Sequence, residues 1–177
     1  MCRCDRGSVL VEFALALPLL LVLLLTSLEF SVLLLMTQKV QRLAASTADL
    51  VAQADDPLTA AQLDALFSAA PFVVEPFDHA ADGRVIVSAV VLGAGNLPTV
   101  AWQRSDAGRL MAVSAIGNPG GAATLPPGFA LRPGETVIVA EAYQAFRPTL
   151  TAAVLRPSTV YEQAYYRPRL GALATLN

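Results

Sequence analysis

One run of sequence constrains this chain more than any other. From Val9 to Met36 it is almost wholly apolar, interrupted only by Glu12, Pro18, Thr26, Ser27, Glu29 and Ser31. At about 1.5 Å per residue, a helix of that length exceeds the ~30 Å hydrocarbon core of a bilayer. A membrane-spanning helix is therefore the expected structure. A cleaved secretory signal is the rival reading, but its apolar core is only ~7–15 residues long and is soon followed by a small-residue cleavage site. This run is about twice that length, and the small residues Ala44, Ala45 and Ser46 come too late to serve. The reading is thus a retained anchor. Arg3, Arg6 and the terminal amine outweigh Asp5 before the span, while Lys39 and Arg42 follow it, so simple charge counting gives only a small bias. The short leader and early span favour a cytoplasmic N-terminus and an exported C-terminal part.

The polar residues within the run read differently from one another. Pro18 lacks a backbone N–H, which membrane helices tolerate better than soluble ones, and predicts a local kink. Glu29 falls about 31 Å along the axis from Ser8, at the outer interface, where its carboxylate is expected to reach water. Glu12 lies at the inner end. A charge within a span is costly and signals function by default. On position alone, an acid reaching back to the cytoplasmic side is an equally good account.

The order of features around Glu12 carries a resemblance. A short basic leader, Gly7, Ser8-Val9-Leu10-Val11, Glu12-Phe13 and a long apolar helix together resemble the type IV prepilin signal. That resemblance implies peptidase cleavage between Gly7 and Ser8, Glu12 as the fifth residue of the mature chain, and Phe13 as the aromatic next to it. The physical logic is consistent with this. Glycine offers no side chain to obstruct the approach of the peptidase to the backbone. A carboxylate in a dry helix bundle needs a counter-charge, which the amine freed on a neighbouring subunit would supply. The stretch "VEFALALPLLLVLLLTSLEFSVLLLMTQKVQRLAASTADLVAQ" resembles the start of the TadE-like family of the tight-adherence (Flp) pilus system. The later "AWQRS", "ETVIVAEAYQAFRP" and "AYYRPR" resemble its remainder. The family implies a minor pilin or pseudopilin of the bacterial inner membrane that assists pilus assembly. Its implied partners are a prepilin peptidase, other pilus-assembly pilins and the inner-membrane platform.

The expected organisation is a leader at 1–7, a transmembrane helix at 8–36, a helical stalk at 37–54 and an exported α+β domain at 55–177. Val40, Leu43, Ala44, Thr47 and Leu50-Val51 continue the helical spacing into the stalk, to about Ala54 before Asp55-Asp56-Pro57. A second helix is expected over Thr59–Ala69, with a capping box from Thr59 and Gln62 and a stripe of Leu63, Leu66, Phe67 and Ala70. Strands are expected at Gly83–Gly93, Thr99–Arg104, Arg109–Ala115, Glu135–Phe146 and Thr159–Arg169. A hairpin loop at Ser105–Gly108 would join the second and third, and a Gly/Pro-rich loop fills Gly117–Gly134. The fold class is α+β: a long N-terminal helix, a short helix and a mostly antiparallel sheet, a pilin-like arrangement.

The search for chemistry is brief. The net charge is -2 with no block of like charge, so nothing points to nucleic acid. Both cysteines, Cys2 and Cys4, precede the span, so the exported part has no disulfide and depends on its core. As a C-x-C pair they make an incomplete metal site, and two leader thiols are the simpler reading. The single histidine, His79, stands near Asp78 and Asp82, where a polar turn explains it better than a metal site. Glu141 is a catalytic acid only if buried, and a solvent-facing position is simpler. Trp102 and Tyr143, Tyr161, Tyr165 and Tyr166 read as core and strand-pairing residues before a sugar-binding surface. No hydrolase elbow, zinc motif or P-loop occurs. No cofactor or metal is expected, and the chain reads as a non-enzyme. The alternative function is an unprocessed, single-pass anchored binding or adhesion domain.

Overall fold

The computed structural model describes residues 5–55, 57–152 and 154–177, with the backbone alone at 5–8 and 94. Helix α1 runs over Asp5–Ala52, followed by α2 (Ala60–Phe67), α3 (Ala70–Val74) and α4 (His79–Asp82). Strands β1 (Gly83–Leu92), β2 (Pro98–Ser105), β3 (Thr136–Phe146) and β4 (Ser158–Tyr166) form one sheet in the order β2-β1-β3-β4. The architecture is α+β. The chain divides into two compact units. One holds the chain up to Leu35 together with Phe146–Ser158, and the other holds Met36–Ala145 with Thr159–Asn177.

In the second unit, α1 is amphipathic. Met36, Val40, Leu43, Ala44, Thr47, Ala48, Val51 and Ala52 are buried at three-to-four spacing, the stripe of a helix laid on a core. Leu50 was expected on this stripe but is largely exposed, one step of about 100° away from Val51. The helix ends at Ala52, two residues short of the expected end, in a tightened turn where Ala54 N–H donates to Val51 O at 3.1 Å. The capping box at α2 forms as expected: Thr59 Oγ1 accepts from Gln62 N–H at 3.3 Å, and Gln62 Oε1 from Thr59 N–H at 2.8 Å. Leu63, Phe67 and Ala70 are buried.

Strand β1 pairs antiparallel with β2 and with β3, and its register with β2 shifts between Ala89 and Val90. Both faces of the central strands are covered, so they lose the alternation of a half-exposed sheet. On one face Val90, Val100, Val137 and Val139 pack with Ile116, under Leu125, Phe129 and Leu131 of the Gly/Pro-rich loop. On the other, Val85, Val87, Ala89, Ile138, Ala140 and Ala142 are fully buried. Arg104 on that face donates to both oxygens of Asp64 in α2, at 2.9 and 2.7 Å. Trp102 is buried, with Nε1–H donating to Leu173 O at 2.9 Å, a core role.

The expected third strand at Arg109–Ala115 and the hairpin at Ser105–Gly108 are corrected. Residues 109–115 have no strand structure, and Met111 and Val113 are almost fully exposed. β2 is an outer strand of the sheet, but this segment does not pair with it. The segment crosses the sheet face that carries Glu141 instead, with its backbone held by other partners: Arg109 N–H by Ala80 O at 3.1 Å, Leu110 N–H by Gly83 O at 3.2 Å and Ala115 N–H by the Glu141 side chain.

Candidate functional site

The N-terminal half of α1 has no core to lie on. Every described side chain from Val9 to Leu24 is exposed, in a helix long and apolar enough to cross a membrane. Its hydroxyls are satisfied internally. Thr26 Oγ1 donates to Val22 O at 2.7 Å, Ser27 Oγ to Leu24 O at 2.8 Å and Ser31 Oγ to Ser27 O at 2.8 Å. Such back-bonding lets polar residues sit in an apolar surrounding without an unpaired donor. Helix α1 continues through Pro18, which has no N–H to give the carbonyl of Ala14.

The candidate processing and assembly residues lie at the start of this helix. Gly7 and Ser8 are in its first turns, and their surroundings lie outside the described side chains. Glu12 and Phe13 are exposed, and Glu12 has no hydrogen bond or ion pair among the described residues. Cys2 and Cys4 lie outside the described residues.

Glu29 departs from expectation. It is not an interfacial acid reaching water: it is 5% exposed, while Leu28 and Phe30 on either side are half exposed. Its carboxylate accepts from the segment between β3 and β4. Oε1 takes Thr149 N–H and, at 3.2 Å, Leu150 N–H, and Oε2 takes Thr151 N–H at 2.7 Å and Thr151 Oγ1–H. Four donors on one carboxylate account for an acid buried against an apolar helix. The sequence held only a weak signal of this, a threonine-rich "TLT" far along the chain.

One further acid expected elsewhere is buried in the second unit. Glu141 was expected to face solvent, but it is fully buried beneath the crossing segment. It accepts from Ser114 Oγ, from Ala115 N–H at 2.8 Å, and from the hydroxyls of Tyr143 and Tyr161 at 3.0 Å each. The two tyrosine rings lie 4.7 Å apart. Burial first, then the Glu141 charge, push both hydroxyls well above the ordinary tyrosine range. With three donors on Oε1 and one on Oε2, buried Glu141 is a structural clamp rather than a free acid.

His79 opens the single turn of α4. It is buried and its Nε2 stands 2.6 Å from Asp106 Oδ2. Asp78 caps α4 by accepting from Ala81 N–H at 3.0 Å. Asp106 also accepts from Val85 N–H at 3.0 Å and Gly108 N–H at 3.2 Å. Burial alone would raise the Asp106 carboxyl. The His79 hydrogen bond, the Val85 amide, the His79 charge and the Gly108 amide outweigh it and hold it below the usual carboxylate range. A cleft of about 530 Å³ opens beside this pair, lined in part by Phe67, Pro71 and Arg104. Among the described residues no three His, Cys, Asp or Glu side chains group as metal ligands.

The family model described as TadE-like protein matches residues 7–49, from the candidate processing glycine through most of α1. The stretches "AWQRS", "ETVIVAEAYQAFRP" and "AYYRPR" lie beyond that match. Comparison with curated proteins and with solved structures finds no match.

Proposed function

We propose that this chain, TadE-like over residues 7–49, is a minor pilin or pseudopilin that assists assembly of the Flp pilus and is matured by a prepilin peptidase. The observation that carries the reading is a bare apolar helix with one acid, Glu12, one turn after Ser8 and without a partner among the described residues. A bare apolar helix requires lipid or other helices around it, and an unpaired carboxylate there requires a counter-charge. Cutting after Gly7 supplies one, the amine of Ser8. Within one chain Ser8 and Glu12 lie on the same face. A neighbouring helix displaced by about one turn, ~5.4 Å, brings its amine level with Glu12 and so selects subunit register.

In this reading residues 1–7 are the leader, 8–36 the span, 37–54 the stalk and 55–177 the exported domain. The protein sits in the bacterial inner membrane with its N-terminus in the cytoplasm. Phe13 packs against neighbouring helices, Pro18 provides a bend, and the partners are the peptidase, other pilins and the assembly platform. No catalytic role is proposed.

The test is N-terminal sequencing of the full chain co-expressed with the cognate peptidase. A mature chain starting at Ser8 is expected, and Gly7→Val should block its appearance. A wild-type chain that still starts at Met1 overturns the processing claim. The cleft beside His79 and Asp106 favours the second reading, an unprocessed anchored binding domain, in which Gly7→Val is silent.

A further inference from the structure

The segment joining β3 to β4, residues 147–157, has a composition and a surface unlike those of an ordinary solvent loop. It reads "RPTLTAAVLRP" and contains no acid. Leu150 and Val154 are 60% and 57% exposed, and Arg156 is exposed as well. Exposed apolar residues scattered singly are ordinary. These two share a short segment fixed to the apolar helix itself, through the four hydrogen bonds on Glu29.

The level of that attachment matters. From Val9 to Glu29 the axial rise is about 30 Å, the thickness of a hydrocarbon core. Beyond Glu29 the helix still exposes Phe30, Val32 and Leu34. The loop is therefore joined to α1 with bare apolar helix on both sides of the joint. A lipid-facing loop must have its backbone polar groups satisfied internally, and five N–H groups of this one are. Thr149, Leu150 and Thr151 give their N–H groups to Glu29, and Val154 and Leu155 give theirs to Thr151 O at 2.8 Å each.

We propose that this loop is a membrane-surface contact: Leu150 and Val154 enter the outer leaflet of the bilayer that α1 crosses, and Glu29 holds the loop at that depth. Arg156 reaches to the headgroup phosphates, as long cationic side chains do at an interface. The occupant is lipid because the patch is continuous with the bare surface of the span. The proposal rests on the reading of α1 as a span.

The experiment uses the full chain with Cys2→Ser and Cys4→Ser, reconstituted in phosphatidylethanolamine/phosphatidylglycerol vesicles. An environment-sensitive fluorophore is placed singly through Leu150→Cys, Val154→Cys, Met111→Cys or Leu21→Cys. Quenchers are spin-labelled lipid and aqueous iodide. Labels at 150 and 154 should be quenched by lipid and protected from iodide. The label at 111, on a fully exposed residue, should show the reverse. Adding Glu29→Ala should move the label at 150 toward the behaviour of the one at 111. Iodide quenching at 150 and 154, with lipid quenching at 21, overturns the loop contact and leaves the span intact. Protection at 150 and 154 from both quenchers means that protein covers the loop, which also overturns it. Absence of lipid quenching at 21 overturns the span, and the loop contact with it.

Discussion

Glu29 Oε2 accepts a hydrogen bond from Thr151 N–H at 2.7 Å and another from the Thr151 hydroxyl, across 122 residues of sequence. A helix otherwise bare at this level is thereby tied to a distant loop. Hydrogen bonds to a charged acceptor contribute about 1.5–3 kcal/mol each. Glu29→Gln removes the charge and turns an amide N–H₂ toward donors that need an acceptor. Backbone amide exchange at Thr149, Leu150 and Thr151 should accelerate roughly ten- to a hundredfold, since ~1.4 kcal/mol is a factor of ten. Exchange within the 36–52 portion of α1 should not change. Unaltered exchange at the three loop amides would contradict the clamp.

The buried carboxylate of Glu141 holds the crossing segment down through Ser114 and Ala115. Glu141→Gln keeps the shape but offers only one acceptor oxygen to four donors. A loss of about 1–3 kcal/mol in unfolding free energy is expected, read as a lower denaturant midpoint. The same variant should alter the alkaline limb. Tyr143 and Tyr161 have raised folded-state pKa values, through burial first and the Glu141 charge second. Their contribution is fully present below the ordinary pKa of 10.0 and is lost as pH rises toward the folded values. Removing the charge lowers those folded values, so stability should decline less steeply above pH 10 in Glu141→Gln than in the parent. Parallel alkaline limbs would contradict the coupling.

Asp106 gives a prediction at the other end of the pH scale. Its folded pKa lies below the ordinary 3.8. Its contribution is present above that value and is lost as pH falls through the folded one. Asp106→Asn should remove this limb and lower stability at neutral pH, because Asn cannot serve the Val85 and Gly108 amides and His79 as a carboxylate does. Urea midpoints at pH 3, 5 and 7 would check it. If the two proteins differ by the same amount at all three values, the carboxylate is not titrating with folding.

The elements most legible in sequence were those with strong local signals. The apolar run, the Thr59/Gln62 box and the β-branched runs of β1 and β3 each appear close to where local physics places them. What escaped depended on contacts distant in sequence. Strand alternation suggested a solvent-facing Glu141, because nothing in "GNPGGAATLPPGFALRPG" says that its loop covers a sheet face. Arg109–Ala115 carried a strand pattern but is held by side-chain and loop partners, which no periodicity encodes. Asp78 and Asp82 are the acids close to His79 in sequence, whereas its partner is Asp106. Helix rise gives the depth of Glu29 but not its partner loop, which lies more than a hundred residues away.

Gly108 provides the last prediction, through the space that its missing side chain leaves. A Cβ there would stand 2.2 Å from Gly83 O, 2.9 Å from Gly83 C and 3.1 Å from Arg84 Cα. All three are backbone atoms at the start of β1, so no side chain can turn aside. Gly108 also lies where three bonds converge: its N–H reaches Asp106 Oδ1, Arg84 Nη1 donates to its carbonyl at 3.0 Å, and two residues on Leu110 N–H reaches Gly83 O. Gly108→Ala must lift the segment off β1 and weaken these bonds together, an overpacking that costs about 1–3 kcal/mol. Ala107→Ser, at the exposed neighbouring residue, should stay within about 0.5 kcal/mol of the parent. Equal denaturant midpoints for the two variants would mean that the segment does not approach β1 this closely. A loss confined to Gly108→Ala would support a structural reason for glycine at this position.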